Sequence, residues 1–194
     1  MPADITGVIG EKHVAGRRDM LFYLSLAVIL AFALFFRSQG YFDGNISFWW
    51  DEADWAHRLL TKPLGEVIRI RPIGYMFLTK LLVNAISTDE TIFRLLSYLS
   101  SILALPLVYL IAKRLWNSRL IIFLLLFLAA FNPNLITFAK EFKPYALDFF
   151  VHCALISLVL AYLGTKRNGF LYGLLLCAIA GVFFSYTIVF VSDH

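Results

Sequence analysis

Charge is what this sequence has least of. Aspartate, glutamate, lysine and arginine make up 15% of its 194 residues, against 60% hydrophobic and 16% aromatic. A water-soluble domain carries about 25% charged and 45–50% apolar residues. One soluble globule of this length cannot hide so much apolar surface, and the mean hydropathy of +0.77 points the same way. A soluble enzyme, a DNA-binding domain and a disordered tail are therefore excluded. Cysteine is also scarce: Cys153 and Cys177 stand singly in apolar runs, with no CxxC and no Cys/His cluster. Zinc and iron–sulfur centres thus have no ligand set, and no disulfide is expected. No GxxxxGK[ST], GxGxxG or HExxH occurs, so nucleotide and zinc-protease chemistry have no support. The apolar run nearest the N-terminus follows a polar stretch and ends without a small-residue cleavage site, so it is expected to remain as an anchor.

What the chain has instead is long apolar segments. Five of them, 20–36, 91–112, 120–138, 145–164 and 170–191, reach the roughly 17–25 residues that a spanning helix needs. Asn132-Pro133-Asn134 breaks the third near its end. Ser87 and Glu90 stand at capping-box spacing ahead of the second. A sixth run, 75–86, reaches only about 18 Å as a helix, and Lys80 interrupts it. It reads as an interfacial or re-entrant helix.

Charge placement orients the chain. The net charge is +4, but its distribution says more than its total. Five spans put the short turns 113–119 and 165–168 on the side of the N-terminal tail. That side holds eight cations, Lys12, Arg17, Arg18, Lys113, Arg114, Arg119, Lys166 and Arg167, and neither turn carries an acid. Ten of the 13 acids fall on the opposite side, with the other nine cations. Basic short loops mark the cytoplasm, which makes the tail 1–19 cytoplasmic and the loop 37–90 extracytoplasmic. The expectation is an all-α polytopic membrane protein, a single transmembrane domain over 1–194 in the cell membrane, with surface and re-entrant helices in its first outer loop.

That loop is far longer than the connections usual in helix bundles, and long loops are more often functional. Within it Trp55, Ala56, Leu59 and Leu60 recur at helical spacing, with Asp51, Asp54 and Arg58 on the other face. This predicts a short helix lying on the membrane with its apolar side down and Trp49 and Trp50 at headgroup level. Asp51-Glu52 reads in two ways: an N-cap followed by a first-turn acid, or a general base at the membrane face. Asp54 and Arg58 form an ordinary i,i+4 pair, and His57 reads as a surface-helix residue. A second cluster, Lys140, Glu141, Lys143 and Tyr145 with Asp148 and His152, crowds one end of two apolar helices. Snorkelling lysines, one neutralised by Glu141, and a buried Asp148–His152 hydrogen bond account for it without function; groups lining a cavity account for it with function. Arg69 and Arg71, just before Tyr75, serve either to bind phosphate or to balance the loop acids.

In this order the pieces resemble the amino-terminal half of GT-C superfamily glycosyltransferases, the class of the protein O-mannosyltransferases and aminoarabinose transferases. The residues that carry the resemblance are Trp50-Asp51-Glu52-Ala53, Arg71-Pro72-Ile73-Gly74-Tyr75 leading to Leu78-Thr79-Lys80-Leu81-Leu82, Phe93-Arg94-Leu95-Leu96, Ala112-Lys113-Arg114-Leu115, Lys140 to Asp148, and Phe184-Ser185-Tyr186. The resemblance covers nearly the whole chain from about residue 20. It implies transfer of a sugar from a polyprenyl-phosphate carrier to an acceptor hydroxyl on the extracytoplasmic face, in one inverting displacement without a cofactor. Asp51 would be the base, with Glu52 beside it and Glu141 as the acid of the second outer loop. Lys140, Lys143 and Tyr145 would line the cavity near the carrier phosphate, and Arg69, Arg71, Tyr75 and Lys80 would also bind substrate. Many relatives have Gln-Pro-Pro or Asp-Pro-Pro where this chain has Arg71-Pro72-Ile73, so its carrier or acceptor contacts are expected to differ. Members of the class continue through further spans, so this chain is expected to be a truncated, amino-terminal portion. The partners implied are the lipid-linked donor, membrane lipid and an acceptor of unstated class, with no nucleic acid. A transporter or lipid-flipping protein would instead show a repeated half and mid-membrane polar groups; the chain has no internal repeat, and its charges gather near the membrane faces. A metal-assisted transferase would use Asp51 and other acids to hold a divalent ion.

Overall fold

The computed structural model describes residues 5–42, 47–67 and 72–184, with side chains from residue 19 onward. Among the described residues the architecture is all-helical, with no strand. The order is α1 (Ile5–Ser38), α2 (Trp50–Thr61), α3 (Leu64–Val67), α4 (Ile73–Ala85), α5 (Glu90–Leu115), α6 (Arg119–Phe131), α7 (Pro133–Phe138), α8 (Tyr145–Thr165) and α9 (Asn168–Phe184). Three stretches are long and apolar enough to cross a membrane: Asp19–Ser38 within α1, α5 and α8. They fall on three of the five runs expected to span. The described part of α9 has 17 residues, and the rest of its run, 185–191, lies outside the described residues.

The run 120–138 is not one helix. Pro133 has no N–H to give to Ala129 and its ring clashes with a continuing turn, so α6 stops at 13 residues and α7 restarts with Pro133 in its first turn. Asn132 caps the restart, its Oδ1 accepting from Leu135 N at 3.2 Å. The break strands carbonyls at the end of α6, and the fully buried Arg37 of α1 satisfies them. Its guanidinium donates to Ala130 O at 2.8 Å, Ala129 O at 3.3 Å and Ala33 O at 3.2 Å, and its Nε donates to Ser101 Oγ at 2.7 Å. A cation at a helix C-terminus also answers the negative end of the dipole.

Helix α5 is the centre of the molecule, packing chiefly against α8 and then α6. Its buried Ser97, Ser100, Ser101 and Ala104 and the buried Ala146, Cys153, Ser157 and Ala161 of α8 are small, which lets helix backbones approach closely. Its N-cap is Asp89 rather than Ser87; Ser87 Oγ instead donates to Asp89 Oδ2 at 2.6 Å and accepts from Asp89 N at 3.1 Å. Leu26, Ile29 and Ala33 of α1 meet Leu105, Leu126 and Ala130 in one core. A second core joins Ala56 and Leu59 of α2 and Tyr75 and Met76 of α4 to Phe93, Phe142 and Val151. Helix α4 has 13 residues, as expected for the short run, and touches α9 through Gly74. A Cβ there would come within 2.7 Å of the Phe184 ring, so any larger residue requires that ring to shift. On the side of α2 that packs against the protein, Glu52 joins Ala56 and Leu59, while Leu60 is exposed.

Arg37→Met strands the two carbonyls of α6, at about 1–3 kcal/mol for each unsatisfied group. Unfolding of the purified protein in detergent is expected to show a loss of about 2–6 kcal/mol. Adding Pro133→Ala lets α6 run on and should recover part of it.

Candidate functional site

The two adjacent acids of α2 have opposite fates. Trp49 is the N-cap of α2, so Asp51 is not the cap and the acids occupy the second and third helical positions. Successive residues on a helix point about 100° apart. Glu52 turns inward and is almost wholly buried. Its Oε2 accepts from Arg94 Nη2 at 3.0 Å and from Trp49 N at 3.1 Å, and its Oε1 accepts from Phe142 N. Both oxygens are occupied by the protein itself. Asp51 turns outward with its side chain 52% exposed. Its Oδ1 accepts from Glu52 N at 2.9 Å, and its Oδ2 pairs with Lys143 Nζ.

The turn between α7 and α8 completes the site. Lys143 is mostly covered, its ammonium 5.1 Å from the centre of the Trp55 ring. Its carbonyl accepts from Ser97 Oγ at 2.7 Å, and Ser97 in turn takes the Tyr75 hydroxyl at 2.9 Å. Trp49, Asp51, Glu52, Glu141 and Lys143 line an open hollow of about 210 Å³. A neighbouring hollow of about 230 Å³ shares Trp49 and Glu141 and adds Ile136, Thr137 and Lys140. Residues ninety positions apart thus face one space.

Their environments push the two acids in opposite directions. The Lys143 hydrogen bond holds the Asp51 carboxyl below its ordinary value. Burial, and then the nearby Glu52 and Asp51 carboxylates, push Glu141 up, against the pull of Lys143 and Arg94. Burial and the Arg37 charge push Lys140 down. The site therefore offers an ionised, solvent-facing carboxylate and a less acidic one across a small gap.

Other residues expected here go elsewhere. Tyr75 is fully buried and stacks on Phe142 at 5.8 Å, so it supports Lys143 through Ser97 instead of lining the hollow. Lys80 donates to Lys62 O at 3.0 Å, at the end of α2. Tyr145 is exposed and packs against Phe138. Lys143 pairs with Asp51 and not with Glu141. His152 Nδ1 meets the Asp148 carbonyl at 2.7 Å, not its carboxylate. The Arg58–Asp54 pair forms at 2.7 Å, and His57 is exposed. Arg69, Arg71, Ser185 and Tyr186 lie outside the described residues. Among the described residues no three His, Cys, Asp or Glu side chains gather as metal ligands. Sequence reasoning gave no role to Arg94, which holds Glu52; the signal available was a lone cation in an apolar run.

Glu52→Gln removes the nearer charge partner of the buried Arg94, whose other, Glu90, lies at 3.8 Å, and is expected to cost about 3 kcal/mol in an unfolding measurement. Asp51→Asn, at a half-exposed position, should stay within about 0.5 kcal/mol. In a carboxyl titration followed by carbon NMR, Asp51 should titrate below and Glu141 above their ordinary values; Lys143→Met should raise Asp51. No protein-family model matches this chain, and no curated protein or solved structure matches it.

Proposed function

We propose that the chain is a membrane glycosyltransferase of GT-C type, or the amino-terminal part of one, with Asp51 as its general base. It takes a sugar from a polyprenyl-phosphate carrier and gives it to an acceptor hydroxyl. One observation carries the reading beyond resemblance: a half-exposed aspartate, a lysine on it and a second, less acidic carboxyl line a single hollow. In this reading α6 with α7, and α9, make the remaining two crossings beside the three long apolar helices. The basic turns face the cytoplasm, and the hollow opens on the extracytoplasmic surface, where Trp49 and Trp50 sit among headgroups.

The chemistry is a single displacement. The acceptor oxygen bonds to the anomeric carbon while the bond from that carbon to the phosphate oxygen breaks, and its electron pair leaves with the phosphate. The acceptor proton passes to Asp51, and attack from the face opposite the departing phosphate inverts the anomeric centre. Lys143 links the two ends of this event. Without a donor its ammonium sits on Asp51; the carrier phosphate, a monoanionic diester in the donor, gains a second negative charge as its bond to the sugar breaks and draws the ammonium away. The carboxylate is then released at a higher basicity just as the leaving group gains a counter-ion. Lys140, in the adjoining hollow, is a second cation for the phosphate. Glu52 positions the site, and Glu141 accepts a hydrogen bond from a sugar or acceptor hydroxyl.

Membranes bearing the chain, given a labelled polyprenyl-phosphate sugar, provide the test. Asp51→Asn is expected to lower transfer by about 10²–10⁴-fold, the worth of a positioned base. Lys143→Met lets the Asp51 pKa rise, so the acid limb of the rate profile should move to higher pH. Undiminished transfer by the asparagine variant overturns the base assignment, and loss on chelation redirects the reading to a metal-assisted transferase.

A further inference from the structure

The two hollows beside α2 have two residues in common, Trp49 and Glu141. Asp51 and Lys143 belong to one hollow, Thr137 and Lys140 to the other. The boundary where they meet is therefore made of one indole and one carboxyl group.

Three tryptophans stand close together in this part of the chain, and their surroundings differ. The Trp55 ring already carries the Lys143 ammonium at 5.1 Å and packs against Phe142 at 6.0 Å. Trp50 is 91% exposed and lines neither hollow. Trp49 is 69% exposed, lines both, and among the described residues has no ring or cation packed against it. What Trp49 does for α2 it does with its backbone. Its N–H donates to Glu52 Oε2 at 3.1 Å, and its carbonyl accepts from Ala53 N at 2.9 Å. Any residue but proline supplies both groups, so the fold leaves the indole unused.

We propose that Trp49 is the sugar-positioning residue of the site: the donor's sugar ring lies on its indole, with a ring hydroxyl on Glu141 and the anomeric carbon toward Asp51. A sugar ring has C–H groups on its faces and hydroxyls around its edge. The C–H groups are slightly positive and suit the negative face of an aromatic ring, while the hydroxyls need acceptors, which the Glu141 carboxyl offers at the same boundary. Binding sites commonly combine an aromatic wall with a few such polar groups. Trp49 and Asp51 stand two positions apart at the start of α2, so one element carries both the platform and the base, and the Glu52–Arg94 pair fixes that element. At headgroup depth the ring is also level with a sugar that extends beyond a carrier phosphate. The inference rests on the transferase reading and names the residue by which a sugar-bearing carrier is told from one without a sugar.

The test is binding to the full chain in nanodiscs. The probes are the mannosyl, glucosyl and galactosyl esters of undecaprenyl phosphate and its methyl ester, which has the same single charge and no sugar. Wild type should prefer at least one glycosyl ester to the methyl ester. Trp49→Leu should cut that preference about two- to tenfold, the scale of one aromatic contact, and leave methyl-ester affinity unchanged, which also checks that the variant is folded. Trp49→Phe keeps a ring and should keep most of the preference; Trp50→Leu should keep all of it. An undiminished preference in Trp49→Leu, an equal loss of methyl-ester affinity (the mark of a lipid anchor) or an equal fall in Trp50→Leu overturns the proposal and leaves the transferase reading standing. Absence of preference for any of the three sugars in the wild type overturns both.

Discussion

The buried Glu52–Arg94 pair sets where everything around the hollow stands. It ties the surface helix to α5, and through the Phe142 amide it ties both to the turn before α8. Arg94 is further held by the Phe48 ring at 4.8 Å and the Ser47 carbonyl at 3.2 Å. Desolvating two charges is costly, and a buried pair is weak evidence for stability in itself. Its value here is geometric. An apolar face accepts α2 in several rotations, whereas a carboxylate that must meet Arg94 and two backbone amides accepts one. With α2 fixed in that rotation, its neighbour Asp51 has only the solvent side left, opposite Lys143.

Three carboxylates in one neighbourhood would repel one another, and the protein distributes cations unevenly among them. Arg94 neutralises Glu52 in the interior, and Lys143 neutralises Asp51 at the surface. Glu141 makes no ion pair among the described residues and feels the other two. One fold thus gives three carboxyl groups three environments, which is how like groups acquire unlike proton affinities. Tyr75 and Ser97 serve the same end by fixing the backbone from which Lys143 projects.

The long apolar helices were legible because their signal accumulates over some twenty residues. The interruption at Asn132-Pro133 was legible because proline acts through its own covalent structure. What fills that interruption was not, since Arg37 stands 92 and 93 residues before the carbonyls it caps and reads in sequence as an ordinary flank. The candidate acids were visible as a cluster, but which of Asp51 and Glu52 turns inward was not. The apolar residues of α2 pointed to a face including Leu60, and only the distant Arg94 makes a buried glutamate tolerable beside Ala56 and Leu59. Tyr75 and Lys80 do not line the hollow for a related reason: nearness in sequence to a basic turn does not set the direction of a side chain on a helix.

The Arg37 cap also imposes an order on biogenesis. At about 5–20 residues per second, its acceptors leave the ribosome roughly five to twenty seconds after the arginine itself. Until then the guanidinium lacks both of these acceptors, so the cap on α1 can close only after the broken helix has been made.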